Sequence, residues 1–205
     1  MRVIFLLLLP LVLCGQPLPS PTTSGGMPLM DALTARASRR EFSAKPLPRQ
    51  VLSNLLWAAY GVNRPAANGR TAPSAHGWQA VDIFVVLPEG LFRYDAKTHS
   101  LELVSKIDAR EISGTQDFVA SAPLNLVMVA RMSKMKASPE DTQADLVNWA
   151  AIEAGAVSQN VYLFCASEGL ATVVRAGVQR PAFAKAAKLA PGDVILIGQT
   201  AGYPR

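Results

Sequence analysis

Arg36, Ser38 and Arg40 occupy alternate positions of the run Arg36-Ala37-Ser38-Arg39-Arg40-Glu41-Phe42, and alternate positions of an extended chain face the same way. Two guanidinium forks and a hydroxyl aimed at one point suit a phosphate, because Arg offers paired N–H groups to its oxygens and Ser adds an O–H. The bland reading is that these cations only neutralise the negative end of a preceding helix, so the clamp needs support from the rest of the chain. Other catalytic devices are missing: there is no G-x-S-x-G elbow, no phosphate loop ending in G-K-S/T, and no G-x-G-x-x-G after a strand. Gly198-Gln199-Thr200-Ala201-Gly202 lacks the Lys and reads as a turn. Ser74 and His76 share a loop without an evident acid partner, which argues against a hydrolase. His76 and His99 lie far apart and no Cys or His pair has zinc spacing, so no metal site is expected.

A chain of 205 residues, 50% of them apolar, is expected to form one domain with a substantial core. The net charge of +5 comes without a basic run, and only Arg39 and Arg40 are adjacent. With aromatics sparse and not interleaved with cations, nucleic-acid binding is not indicated. Local positive charge fits an anionic cofactor or substrate better. Cys14 lies in the presequence, which leaves Cys165 alone and no intrachain disulfide in the mature chain.

The elements that must position the clamp follow from periodicity. Residues 1–15 begin with Arg2, run apolar from Val3 to Leu13 and end on Cys14-Gly15, the layout of a signal peptide. Export to a periplasm or the outside is therefore expected, with lipid attachment at Cys14 as the weaker alternative. Residues 16–26, rich in Pro, Ser, Thr and Gly, read as a disordered spacer. The domain is placed at 27–205. Met27 to Arg36 carries Leu29, Met30 and Leu33 at helical spacing and delivers the chain into the clamp. A second helix runs from Val51 to Tyr60 and stops at Gly61. Asn63 to Trp78 reads as a long loop. Ala80 to Leu87, Leu91 to Asp95 and Ser100 to Val104 predict an antiparallel meander, Ile107 to Ala120 one or two short helices, and Pro123 to Ala130 a buried strand. Asp141 to Glu168 is the longest helical pattern, apolar on two sides, and is placed at the centre of the domain and at a subunit interface. A strand from Leu170, a helix near Pro181 to Leu189 and a strand from Val194 to Gln199 follow. Hairpins outnumber crossovers, which predicts an α+β fold: a central, mostly antiparallel sheet flanked by helices around that long helix.

The order R-x-S-x-R-x-F at Arg36, R-T-A-P-S-A at Arg70, E-G-L at Glu89 and G-Y-P at Gly202 resembles the nitroreductase family over nearly all of the chain after Met27. Arg70 to Ala75, with Gly-Leu-Phe-Arg-Tyr-Asp at Gly90 to Asp95, is similar to the branch containing thiazoline and oxazoline dehydrogenases. The resemblance implies an FMN at the interface of an α+β homodimer, reduced by NAD(P)H and passing hydride to nitroaromatics, quinones or similar acceptors. It assigns the phosphate to Arg36, Ser38 and Arg40 with Ala37 as their backbone neighbour, and Arg205 as a terminal basic residue completing that site. Pro73, Ser74 and Ala75 match the loop that follows the flavin ring, and Ala176 and Gly177 the turn whose backbone N–H meets the hydride-accepting ring nitrogen. Gly77 stands where many relatives have an Asn that bonds the ring, and Ala80 replaces a common Pro, so Gln79 or a backbone group is expected to substitute. Hydride transfer belongs to the cofactor and needs no side-chain nucleophile, which agrees with the missing triad. Nicotinamide donors are scarce outside the cytoplasm, so export leaves the electron donor open. The alternatives are a non-catalytic protein binding a flavin or phosphorylated ligand on the same scaffold, and a secreted structural domain whose arginines cap a helix.

Overall fold

The computed structural model describes residues 15–205, so the expected signal peptide, apart from Gly15, lies outside the described residues. A seven-stranded sheet organises the chain. Its strands are β1 (Gln16–Pro17), β4 (Val81–Leu87), β5 (Gly90–Asp95), β6 (Ser100–Ser105), β7 (Leu124–Ala130), β8 (Ala171–Arg175) and β9 (Val194–Gly202), in the order β1-β6-β5-β4-β7-β9-β8. Every pairing is antiparallel. Four helices, α1 (Leu29–Ala35), α2 (Arg49–Tyr60), α3 (Gln143–Ser167) and α4 (Arg180–Ala186), cover the sheet, and β2 (Val62–Arg64) pairs with β3 (Gly69–Arg70) in a separate hairpin.

The two central strands are apolar almost throughout because both faces of the sheet are covered. In β4 and β7 all residues are buried, and side chains alternate between faces. Ile83, Val85, Leu126 and Met128 join α2 and α3 through Leu55, Leu56, Val157 and Val161. Phe84, Val86, Val127 and Val129 join α4 on the other side, where Phe84 meets Phe183 edge-on with centroids 5.9 Å apart.

The helix α3 starts on a capping box, in which Thr142 Oγ1 accepts from the Asp145 amide at 3.2 Å and Asp145 Oδ2 accepts from the Thr142 amide at 3.0 Å. Its face carrying Leu146, Ala150, Ala154, Val157 and Val161 lies in the core. The second expected stripe, Val147, Ala151, Gly155, Ser158 and Tyr162, is buried at Ser158 and Tyr162, while Ala151 and Gly155 are exposed together with Asn148, Ile152 and Gln159. A Cβ at Gly155 would meet nothing within 4 Å.

Two expectations need correcting. Residues 16–22 are not a disordered spacer, since Gln16 and Pro17 pair with Leu101 and Ser100 and Leu18 is buried. A Pro-rich extended chain satisfies none of its own carbonyls, and α2 supplies the donors: Arg49 Nη2 to Pro17, Ser53 Oγ to Pro19 and Gln50 Nε2 to Ser20. Gly198 to Gly202 is not a turn but the inner half of β9, held between β7 and β8. Its glycines answer to packing, since a Cβ would stand 2.6 Å from Arg175 Nη1 at Gly198 and 2.6 Å from Pro123 Cγ at Gly202. One smaller difference goes with these: part of the predicted loop from Asn63 is the β2–β3 hairpin; the segment from Ile107 forms two short 3-10 helices, as expected.

Candidate functional site

The clamp begins where α1 ends. Arg36 is the C-cap of α1 with extended ψ of 120°, and the segment then runs beside β8, where the Arg39 amide donates to the Thr172 carbonyl at 2.9 Å. Beyond it, Phe42 bridges to Pro204 and the Ser43 amide donates to Tyr203. The clamp is therefore tied to the C-terminal tail, and Arg40 and Arg205 line one recess of about 350 Å³ with Arg39, Glu41 and Pro204.

Arg36 and Ser38 share a partner that sequence reasoning did not assign to the site. The Arg36 guanidinium carbon lies 5.3 Å from the centroid of the Tyr162 ring, and Ser38 Oγ is 2.7 Å from Tyr162 Oη. Tyr162 Oη also accepts the Val174 amide at 3.0 Å. When Tyr162 donates its own proton to Ser38, the Ser38 hydroxyl proton is left for a third group. The signal in the sequence was the hydroxyl end on the second stripe of α3. Arg36, Arg39, Arg40 and Arg205 enter no ion pair among the described residues.

The turn after β8 adjoins this region. Ala176 is exposed and Gly177 half-buried, and a Cβ on Gly177 would collide with Thr115 Oγ1. Gly177 and Gly114 flank Arg175, whose Nη1 donates to Gly177 O at 3.2 Å and Ser113 O at 2.5 Å. The segment Ser113 to Gln116 thus lies against the turn, and Phe118 packs on Phe42 with centroids 5.3 Å apart. Clamp, tail, turn and this segment converge in one chain. Ser113 to Gln116 carried no sequence signal, because only the fold brings it back onto Arg175.

The loop Pro73-Ser74-Ala75 lies elsewhere. Pro73 is exposed and Ser74 and Ala75 are half-buried. His76 stacks on Trp78 with centroids 4.6 Å apart, and Trp78 lies 5.5 Å from Trp149 in the first half of α3. Trp149 and Tyr162 are 13 residues apart on α3, roughly 20 Å along its axis. No one of five recesses among the described residues is lined by both the loop and the clamp. The Gln79 side chain is held within its own loop, since Oε1 accepts from Arg70 Nε at 3.0 Å and Nε2 donates to Asn68 O at 2.7 Å, and the residue lines the recess beside it. Ser74 Oγ accepts the Gln79 amide at 2.7 Å, which fixes the loop's exit. Gly77 has φ +66°, a left-handed conformation that Gly adopts freely and Asn tolerates best among the others.

A recess of about 340 Å³ beside the loop is lined by Tyr60, Arg70, Asp82, Arg93 and Lys134 among others. Its charges largely answer one another, with Asp82 paired to Arg93, Arg131 and Lys134. Cys165 is fully buried, and burial pushes its thiol up to about 12, so it is not a nucleophile. Among the described residues no group of three or more His, Cys, Asp or Glu is arranged to hold a metal.

The model of the nitroreductase family matches residues 33–203. A Methanocaldococcus jannaschii protein assigned as a nitroreductase is 33% identical over 155 residues, 71% of this chain and 76% of its own length. The crystal structure of a Ralstonia eutropha JMP134 protein, likewise assigned as a nitroreductase, superposes with a TM-score of 0.85 at 43% identity, covering 94% of this chain and 95% of that one. The NADPH:FMN oxidoreductase of Vibrio harveyi, solved with NAD+, shares the fold at 22% identity and a TM-score of 0.62, over 86% and 68% of the two chains.

Proposed function

The chain belongs to the nitroreductase family, and from that premise we propose that it is an FMN-dependent oxidoreductase acting as a homodimer on a small organic substrate such as a quinone or nitroaromatic. The observation that carries the reading is a set of cations without an ion-pair partner among the described residues, with Arg36 beside the Ser38–Tyr162 contact and Arg39, Arg40 and Arg205 at one recess. These residues fit the group: a dianionic phosphate supplies the negative charge that the cations lack, and a backbone turn without side-chain bulk admits a flat ring. When bound, FMN would supply hydride transfer. Arg36, Ser38 and Arg40 would hold its phosphate, with Arg205 beside Arg40. The amides of Ala176 and Gly177 would meet the ring edge.

The loop Pro73–Ala75 then comes from the other copy. Gly155 is the midpoint of α3, with Ala151 and Ile152 exposed beside it, and Ile152 is 69% exposed. Leu29, Met30 and Leu33 of α1 are 63%, 71% and 43% exposed, which leaves an apolar face open. Antiparallel pairing of two α3 helices at Gly155 places the Trp149 end of one copy beside the Tyr162 end of its partner. Loop and clamp, separated within one chain, then meet across the interface. We further propose export through residues 1–15, with an electron donor that need not be a nicotinamide.

The test is titration of the purified full chain with FMN, followed by turnover on a quinone and nitroaromatic panel. Each charge-assisted hydrogen bond to phosphate contributes about 1.5–3 kcal/mol, so Arg36→Ala is expected to weaken FMN binding roughly 10- to 100-fold. A chain that ignores FMN, or an Arg36→Ala, Arg40→Ala double variant with wild-type affinity, overturns the assignment.

A further inference from the structure

Arg175, the last residue of β8, is 7% exposed and spends its guanidinium on neutral acceptors. Nε donates to Thr200 Oγ1 at 3.1 Å, Nη1 to Ser113 O at 2.5 Å and Gly177 O at 3.2 Å, and Nη2 to Asn125 Oδ1 at 2.8 Å. No Asp or Glu forms an ion pair with it among the described residues. The space is shaped to it, since a Cβ at Gly114 or at Gly198 would stand 2.6 Å from Nη1. Burial pushes its pKa down to about 10, which still leaves it charged at neutral pH. A buried charge without a counter-charge is unfavourable, and an apolar residue would end this strand without that cost.

The location supplies a reason to keep it. The guanidinium lies directly behind the turn at Gly177 and clasps the Ser113 carbonyl beside it. Resting on the flavin reading above, we propose that Arg175 is a positioning residue with an electrostatic role. It fixes segment 113–116 against the 176–177 turn and holds a positive charge behind the edge of the flavin ring, raising the potential of the bound cofactor. Hydride carries two electrons and one proton, so a neutral oxidised ring that accepts it becomes an anion. A fixed cation in a low-dielectric surround stabilises that anion and leaves the neutral form nearly unaffected.

The experiment measures the two-electron midpoint potential of the FMN-loaded full chain by dithionite titration against a reference dye. Arg175→Gln removes the charge, while Arg175→Lys keeps it without the planar fork. Asn125→Asp places a carboxylate at Nη2 and neutralises the charge in place, at the loss of the Asn125 bond to the Val119 carbonyl. Arg175→Gln and Asn125→Asp are expected to move the reduction equilibrium at least tenfold toward the oxidised form, about 30 mV lower. Arg175→Lys is expected to stay within about threefold of wild type. Should Arg175→Gln fail to fold by circular dichroism, the other two variants carry the test. Wild-type potentials in a folded Asn125→Asp protein, or a Lys variant that drops as far as the charge-removing ones, overturn the electrostatic role while leaving the flavin assignment intact. A wild-type chain that retains no FMN overturns both.

Discussion

Gly155→Tyr separates the shared-site arrangement from a site complete in one chain. Gly155 lies mid-helix with open space where a Cβ would go, so the isolated chain accommodates Tyr and gains about 0.3–0.5 kcal/mol of helix propensity over Gly. Paired copies meet it differently. A two-fold axis near Gly155 brings both new rings to the crossing, and overpacking costs roughly 1–3 kcal/mol per inserted group. Two insertions then cost roughly 2–6 kcal/mol, a weakening of the dimer of about 30-fold to 10⁴-fold. The assay is sedimentation velocity over a concentration series, with FMN titration and thermal unfolding of the cofactor-free chain on the same samples. The expected result is a monomer with unchanged or slightly raised melting temperature and FMN affinity lost in parallel with dimerisation. A monomeric variant that binds FMN as the wild type does would refute the shared site. An intact dimer would refute the proposed crossing.

Two further outcomes follow from the hydrogen bonds around the clamp and the amino-terminal stretch. Tyr162→Phe removes the oxygen that Ser38 contacts and that receives the Val174 amide, so it is expected to cost about 1–3 kcal/mol of stability and to weaken FMN roughly tenfold; a variant altered in neither unfolding nor FMN titration would show Ser38 to be independent of Tyr162. His99 accepts or donates at both ring nitrogens, to Ser53 Oγ at 2.7 Å and Tyr94 Oη at 2.8 Å, and its pKa is lowered from the ordinary 6.5 chiefly by burial. The unfolded chain therefore takes up this proton first, and the stabilisation present above about pH 6.5 is lost as pH falls through the folded pKa. Melting temperatures measured from pH 8 to 5 should decline in the wild type and flatten in His99→Gln, and equal slopes would remove His99 as the cause.

The antiparallel meander and the long helix were legible because their signals are local. Continuous apolar runs mark β4 and β7 and a 3.6-residue rhythm marks α3. The error at Gly198 to Gly202 has a physical source. Glycine is a turn residue by its own propensity, and only the Arg175 side chain and the Pro123 ring, distant in sequence, require small residues there. Residues 16–22 depart from their composition for a related reason. Their composition cannot bury a core, but their carbonyls are taken by donors of α2, which no local window contains.

Alone, the sequence determined the fold class and the family and singled out Arg36, Ser38 and Arg40 as the proposed phosphate site, since periodicity and short motifs survive without coordinates. The tertiary structure decided how these pieces meet. It tied Ser38 to Tyr162, set Arg175 beneath the turn at Gly177, and placed the loop at Pro73 and the clamp at opposite ends of one helix. Those relations are distances between residues remote in sequence, set by the packing of α3 on the sheet, and a side chain's own chemistry carries no record of which distant neighbour the folded chain will bring to it.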